Sequence, residues 1–132
     1  MTILEIINTV YARWGESISQ TDVKDNYSME NSTTVAKLPA ATLYFQGLPT
    51  SASDLEGNES SVMPTVQVDI YTKGQRALTE AYSIDELSHS ALVGMRFRRS
   101  YGPELIQSTD PSIKRLTSRY SRVVGYGDKF TE

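Results

Sequence analysis

Residues 64–99 read PTVQVDIYTKGQRALTEAYSIDELSHSALVGMRFRR, and the fold turns on how this stretch divides. Val66, Val68 and Ile70 alternate with Gln67, Asp69 and Tyr71. That period of two marks a strand with one apolar and one polar face, half-buried rather than enclosed on both sides. Ala77, Leu78, Ala81, Ile84, Leu87, Ala91 and Leu92 then recur at helical spacing, and Gly94 supplies a stop. Beyond it Met95 and Phe97 alternate with Arg96 and Arg98, which predicts a second strand that emerges basic. A strand, a long helix and a strand form a right-handed crossover if the two strands are parallel, and an antiparallel arrangement is equally open. The strand-to-helix junction, YTKGQRA, holds one glycine and neither cysteine nor histidine, so it is not a phosphate-cradling loop.

Working outward, Thr2 and Glu5 have the spacing of a capping box. Ile3, Ile6, Ile7, Val10, Tyr11 and Trp14 form one apolar stripe, predicting a helix from about Ile3 to Trp14 with Gly15 as its stop. From 15 to 37 serine, threonine, asparagine and aspartate dominate, which predicts a polar arm or loop. Leu43, Tyr44 and Phe45 are strand formers, ended by Gly47 and Pro49. Residues 50–62 read as an acidic loop, whose Asp54, Glu56 and Glu59 lack the alternating ligand spacing of a calcium loop. After a turn at Asp110 and Pro111, Leu116 to Val124 predicts a last strand with arginines facing out. The expectation is one small α/β (α+β) domain over 1–132. It has a mixed or antiparallel sheet of about four strands, flanked by the N-terminal helix and the long central helix.

The chain has 132 residues and a net charge of −3, with 39% hydrophobic and 22% charged residues, a composition that folds. No run of eighteen apolar residues predicts a membrane span, and the N-terminus lacks the pattern of a signal peptide. The absence of cysteine fits a reducing cytosol. Charge is unevenly placed: residues 1–64 carry −5, residues 65–132 carry +2, and 95–122 alone carries +5. Such asymmetry suits nucleic acid, an acidic protein partner or head-to-tail contact between copies, and equally two solvated faces. His89 is the only histidine and makes no zinc set, and no nucleophile elbow or catalytic triad stands out. The expectation is a protein that is not an enzyme and carries no cofactor.

The layout just assembled, with SDLEGNES leading to PTVQVDIYT and then LVGMRFRRS leading to DPSIKRLTSRYSRVV, resembles the tail-terminator (tail-completion) proteins of long-tailed phages. The resemblance covers most of the chain and is one of pattern. It implies a small α/β subunit, six copies of which form a ring that caps the tail tube and ends its polymerisation. The ring would present a face to the head–tail connector or neck protein, and DNA would pass through it without specific readout. It implies a virion protein of the tail or neck, assembled in the host cytoplasm. A ring needs two different patches that close by rotation. Arg96, Arg98 and Arg99, or Arg115, Arg119 and Arg122, are therefore expected to meet Asp54, Glu56 and Glu59 of a neighbour or a tail-tube subunit. Two alternatives stand beside it. One is a head-completion or neck protein, and the other a small monomeric nucleic-acid-binding domain using the basic strip 96–122.

Overall fold

A computed structural model describes residues 3–29, 38–47, 50–53, 59–107 and 110–125. In chain order these form α1 (Ile3–Ile18), β1 (Tyr27–Ser28), β2 (Ala40–Gly47), β3 (Thr50–Ser53) and β4 (Glu59–Val62). They continue with β5 (Thr65–Lys73), α2 (Ala77–Gly94), β6 (Arg98–Ile106), β7 (Ile113–Ser121) and β8 (Val124–Gly125). The main sheet has five strands, ordered β1-β2-β5-β7-β6, and β3-β4-β8 make a separate sheet of three. The fold is α+β as expected, with one strand more in the main sheet than the sequence reading allowed. The extra strand is β1, whose two residues pair parallel with Ala41 and Thr42. Two residues are too short to show a period.

The opening stretch behaves as a split crossover. β5 and β6 each run antiparallel to β7, which lies between them. They are thus parallel to each other, and α2 carries the chain over the intervening strand. Alternation on β5 places Val66, Val68 and Ile70 toward the helices. There they join Ala41 and Leu43 of β2, Leu116 and Tyr120 of β7, Ile6, Val10, Trp14 and Ile18 of α1, and Ala81, Ile84 and Leu92 of α2 in one core. The Trp14 indole donates to Ser88 Oγ at 2.8 Å, so the buried ring keeps a partner for its one polar atom. Among the described residues no helix is long and apolar enough to cross a membrane.

Four expectations change. The first helix does not stop at Gly15 but runs to Ile18. Gly15 is there for contact, because a Cβ on it would stand 2.6 Å from Cε2 of Tyr27. That close approach lets Tyr27 pack edge-on against Trp14, at 88° between ring planes. The polar arm of 15–37 is therefore helix, then turns over 19–25, then β1, as far as Met29. Residues 30–37 lie outside the described residues, as does Thr2 of the expected capping box. The acidic loop of 50–62 is a hairpin, with Thr50 opposite Val62 and Ser53 opposite Glu59, and Asp54 and Glu56 lie outside the described residues. Serine-rich strands carry no apolar alternation, so nothing in the residue pattern marked them. Finally, β5 is buried on both sides: Gln67 and Asp69, expected in solvent, are 5% and 0% exposed.

α2 ends as its Gly94 suggested, but the left-handed position belongs to Arg96, at φ 68°. Phe97 N–H donates to Leu92 O and Arg96 N–H to Val93 O, which is the double bond of a Schellman cap. β6 is an edge strand broken by register shifts around Gly102, at φ 85°. A Cβ on Gly102 would stand 2.3 Å from the carbonyl oxygen of Thr117, so only glycine permits this bulge. The bulge and Pro103 roughen an edge that would otherwise invite pairing with another strand.

Candidate functional site

No described helix covers the second face of the main sheet. The antiparallel registers Tyr44 to Gln67 to Arg119 to Tyr101, and Thr42 to Asp69 to Thr117, set side chains from four strands on that face. Asp69 sits at its centre, fully buried. Its carboxylate accepts from Thr117 Oγ1 at 2.6 Å, from Gln67 Nε2 at 3.2 and 3.3 Å, and from Arg115 Nη2 at 3.3 Å. A carboxylate withdrawn from water costs several kcal/mol unless it is paired and hydrogen-bonded, and these donors supply that compensation. Gln67 relays the order outward, because its Oε1 accepts from Gln46 Nε2 at 2.9 Å and from Arg119 Nε at 3.0 Å.

Aromatic rings support both arginines. The Arg119 guanidinium lies 4.9 Å from the centre of the Tyr101 ring, and Arg115 lies 5.8 Å from that of Tyr71. Burial pushes the Tyr71 and Tyr44 hydroxyls up, the charge of Asp69 adds to this, and Arg115 opposes it. Among the described residues, Arg115 Nε and Thr42 Oγ1 are buried without a hydrogen-bond partner. Half-buried Tyr44, Tyr71, Tyr101 and Arg115, with exposed Arg119, make a surface of donors and apolar edges.

The arginines expected to act together divide into three groups. Arg115 and Arg119 share the helix-free face, and exposed Arg98, opposite Ser121, extends it toward one end. Arg99 points to the helix side, where Nη2 meets both oxygens of Asp85 at 2.9 Å and Nε donates to Tyr120 Oη at 2.9 Å. Arg122 caps α2, donating from Nη1 to Met95 O at 2.6 Å. Arg96 is exposed at the end of α2. Of the acidic residues, Glu59 opens β4, while Asp54 and Glu56 fall outside the described residues.

His89, the lone histidine, is a structural partner. Its Nδ1 stands within hydrogen-bond distance of Tyr120 Oη, at 2.9 Å, and the same oxygen accepts from Arg99 Nε. Burial pushes the Tyr120 hydroxyl up to about 12, against the pull of Arg99. The sequence reading missed Asp69, Gln67, Tyr44, Tyr71 and Tyr101. For Gln67, Asp69 and Tyr71 the signal is the polar half of the β5 alternation, which by itself reads as a solvent face. A scan against protein-family models gives no match for this chain, and a search of curated proteins finds none that matches it.

Proposed function

We propose that the protein is a structural subunit of a phage tail, one of six in a ring that caps the tail tube and joins it to the head-side connector. It acts by assembly and carries out no chemistry. The observation that carries this reading is that one small subunit bears two unlike surfaces. One is a pre-ordered arginine–tyrosine face backed by a rigid helical layer. The other is a hairpin in a stretch that lacks lysine and arginine from residue 38 to residue 72. Unlike patches on one subunit make a heterologous contact, which closes into a ring when the rotation is right. The dispersal of the arginines supports this reading over nucleic-acid binding. Arg99 and Arg122 are engaged inside the fold and Arg115 is paired with Asp69, so among the described residues no continuous basic track faces outward.

Light scattering after size exclusion, across protein concentration and with purified tail tubes, tests the proposal. The expected result is a six-fold mass, or a monomer that becomes a ring on the end of a tube. A monomer that ignores tubes and shifts DNA in a salt-dependent way would overturn it.

A further inference from the structure

We infer that the helix-free sheet face of one copy seats the acidic β3–β4 hairpin of the next copy, with Arg119 as the principal donor to a hairpin carboxylate. The inference rests on the ring reading and specifies which surfaces meet. Arg119 is exposed, yet its position is fixed from two sides, by the Gln67 oxygen on Nε and by the Tyr101 ring beneath its plane. Its two terminal nitrogens have no hydrogen-bond partner among the described residues, and a planar fork held in this way matches a carboxylate. Little side-chain freedom is left to lose on binding. Tyrosine and arginine are also the residue types that dominate well-packed interface centres.

Charge identifies the occupant. Asp54, Glu56 and Glu59 lie within the β3–β4 segment, and no lysine or arginine occurs between Lys37 and Lys73 to offset them. β4 pairs with β8 and continues directly into β5, and Val62 ties it to the main core. Two copies meeting face to face would set Arg119 near Arg119, which like charge opposes. Seating hairpin on face makes donor and acceptor different patches, so the contact propagates from copy to copy. A phosphate backbone is a poorer occupant. Asp69 already offsets Arg115, and Glu104 shares the face opposite Thr117.

The chain has no cysteine, which makes disulfide trapping clean. A chain carrying both Arg119→Cys and Glu56→Cys is oxidised under assembly conditions and run on a non-reducing gel. The expected product is a ladder of covalent oligomers that ends at the closed ring. A second chain with Gln46→Cys and Glu59→Cys should ladder too, which covers the case in which loss of Arg119 itself prevents contact. A control with Ser90→Cys on α2 and Glu56→Cys should not. If scattering shows a ring and neither pair forms a ladder, or the control ladders equally, the seat is wrong and the ring reading stands. A product that stops at two copies supports the seat and overturns the ring. Monomers that neither cross-link nor assemble on tubes overturn both.

Discussion

Arg98 and Arg99 are adjacent in sequence and opposite in role, because successive residues of a strand face opposite sides. Arg99 is 21% exposed and forms a two-oxygen contact with Asp85, itself 8% exposed. Removing one partner of such a pair leaves an uncompensated charge, so Arg99→Met should destabilise by about 3 kcal/mol. Arg98→Met should stay within about 0.5 kcal/mol, as surface changes do. Urea titration of the two variants measures the contrast, and equal effects would contradict this division of labour. A third neighbour, Arg96, holds φ at 68° where glycine is the usual occupant. Arg96→Gly should therefore raise stability by about 0.5–1 kcal/mol despite the greater freedom that glycine gives the unfolded chain. Tyr120 contributes to the decline of stability at alkaline pH. Its hydroxyl is raised from 10.0 to about 12, chiefly by burial. Between those values the folded state binds the more protons, so this contribution is complete below pH 10.0 and is lost as pH rises toward about 12. Tyr120→Phe should lower stability at neutral pH, by stranding Arg99 Nε, yet flatten this alkaline decline in denaturation midpoints. The residue pattern revealed seven cations in 95–122 but not their sides, because the shifts around Gly102 reset the alternation along β6.

The elements that could be read from the residues were those with long, unambiguous periods. β5 and α2 emerge from Thr65 to Gly94 much as the alternation and the helical spacing require. Where glycine had two meanings, the residue alone did not choose. Gly94 does close α2, whereas Gly15 continues α1 because the Tyr27 ring needs the space of a missing Cβ. That contact joins residues twelve apart and leaves no mark in local pattern. The polar face of β5 was visible as Gln67, Asp69 and Tyr71, but its meaning was not. Burial of Asp69 depends on Arg115 and Thr117 arriving from a strand some fifty residues later. The bulge in β6 gives the sharpest test at this scale. Gly102→Ala adds a Cβ 2.3 Å from a backbone oxygen at a positive φ, and backbone cannot step aside as a side-chain end can. It should cost at least about 2 kcal/mol, from the strained backbone together with the overlap. Hydrogen exchange should show protection lost along β6 and its β7 partners before β2 and β5 are affected. Uniform loss would mean that the bulge is not a separate local feature.

For the whole molecule, the choice lies between closure by charge and closure by apolar contact. α2 offers an apolar alternative, since Leu78, Tyr82 and Val93 are 45%, 42% and 44% exposed on the flank of the helix. The two routes respond oppositely to salt. Raising ionic strength from about 0.1 M to about 1 M shrinks the screening length from roughly 10 Å to 3 Å, which removes long-range steering between exposed charges. Contact through apolar surface is unaffected or strengthened, depending on the salt. If the arginine–tyrosine face and the acidic hairpin bring subunits together, stopped-flow light scattering should show association slowing steeply over that range. Dissociation should change less, because complementary rim charge acts mainly on encounter. Arg119→Glu should reproduce the slow association at low salt, at a cost of about 1 kcal/mol or more in folded stability because Gln67 Oε1 loses its Arg119 Nε donor. Assembly that proceeds equally fast at both salt concentrations, and that Leu78→Asp abolishes, would move the contact to α2 and leave the sheet face without this role.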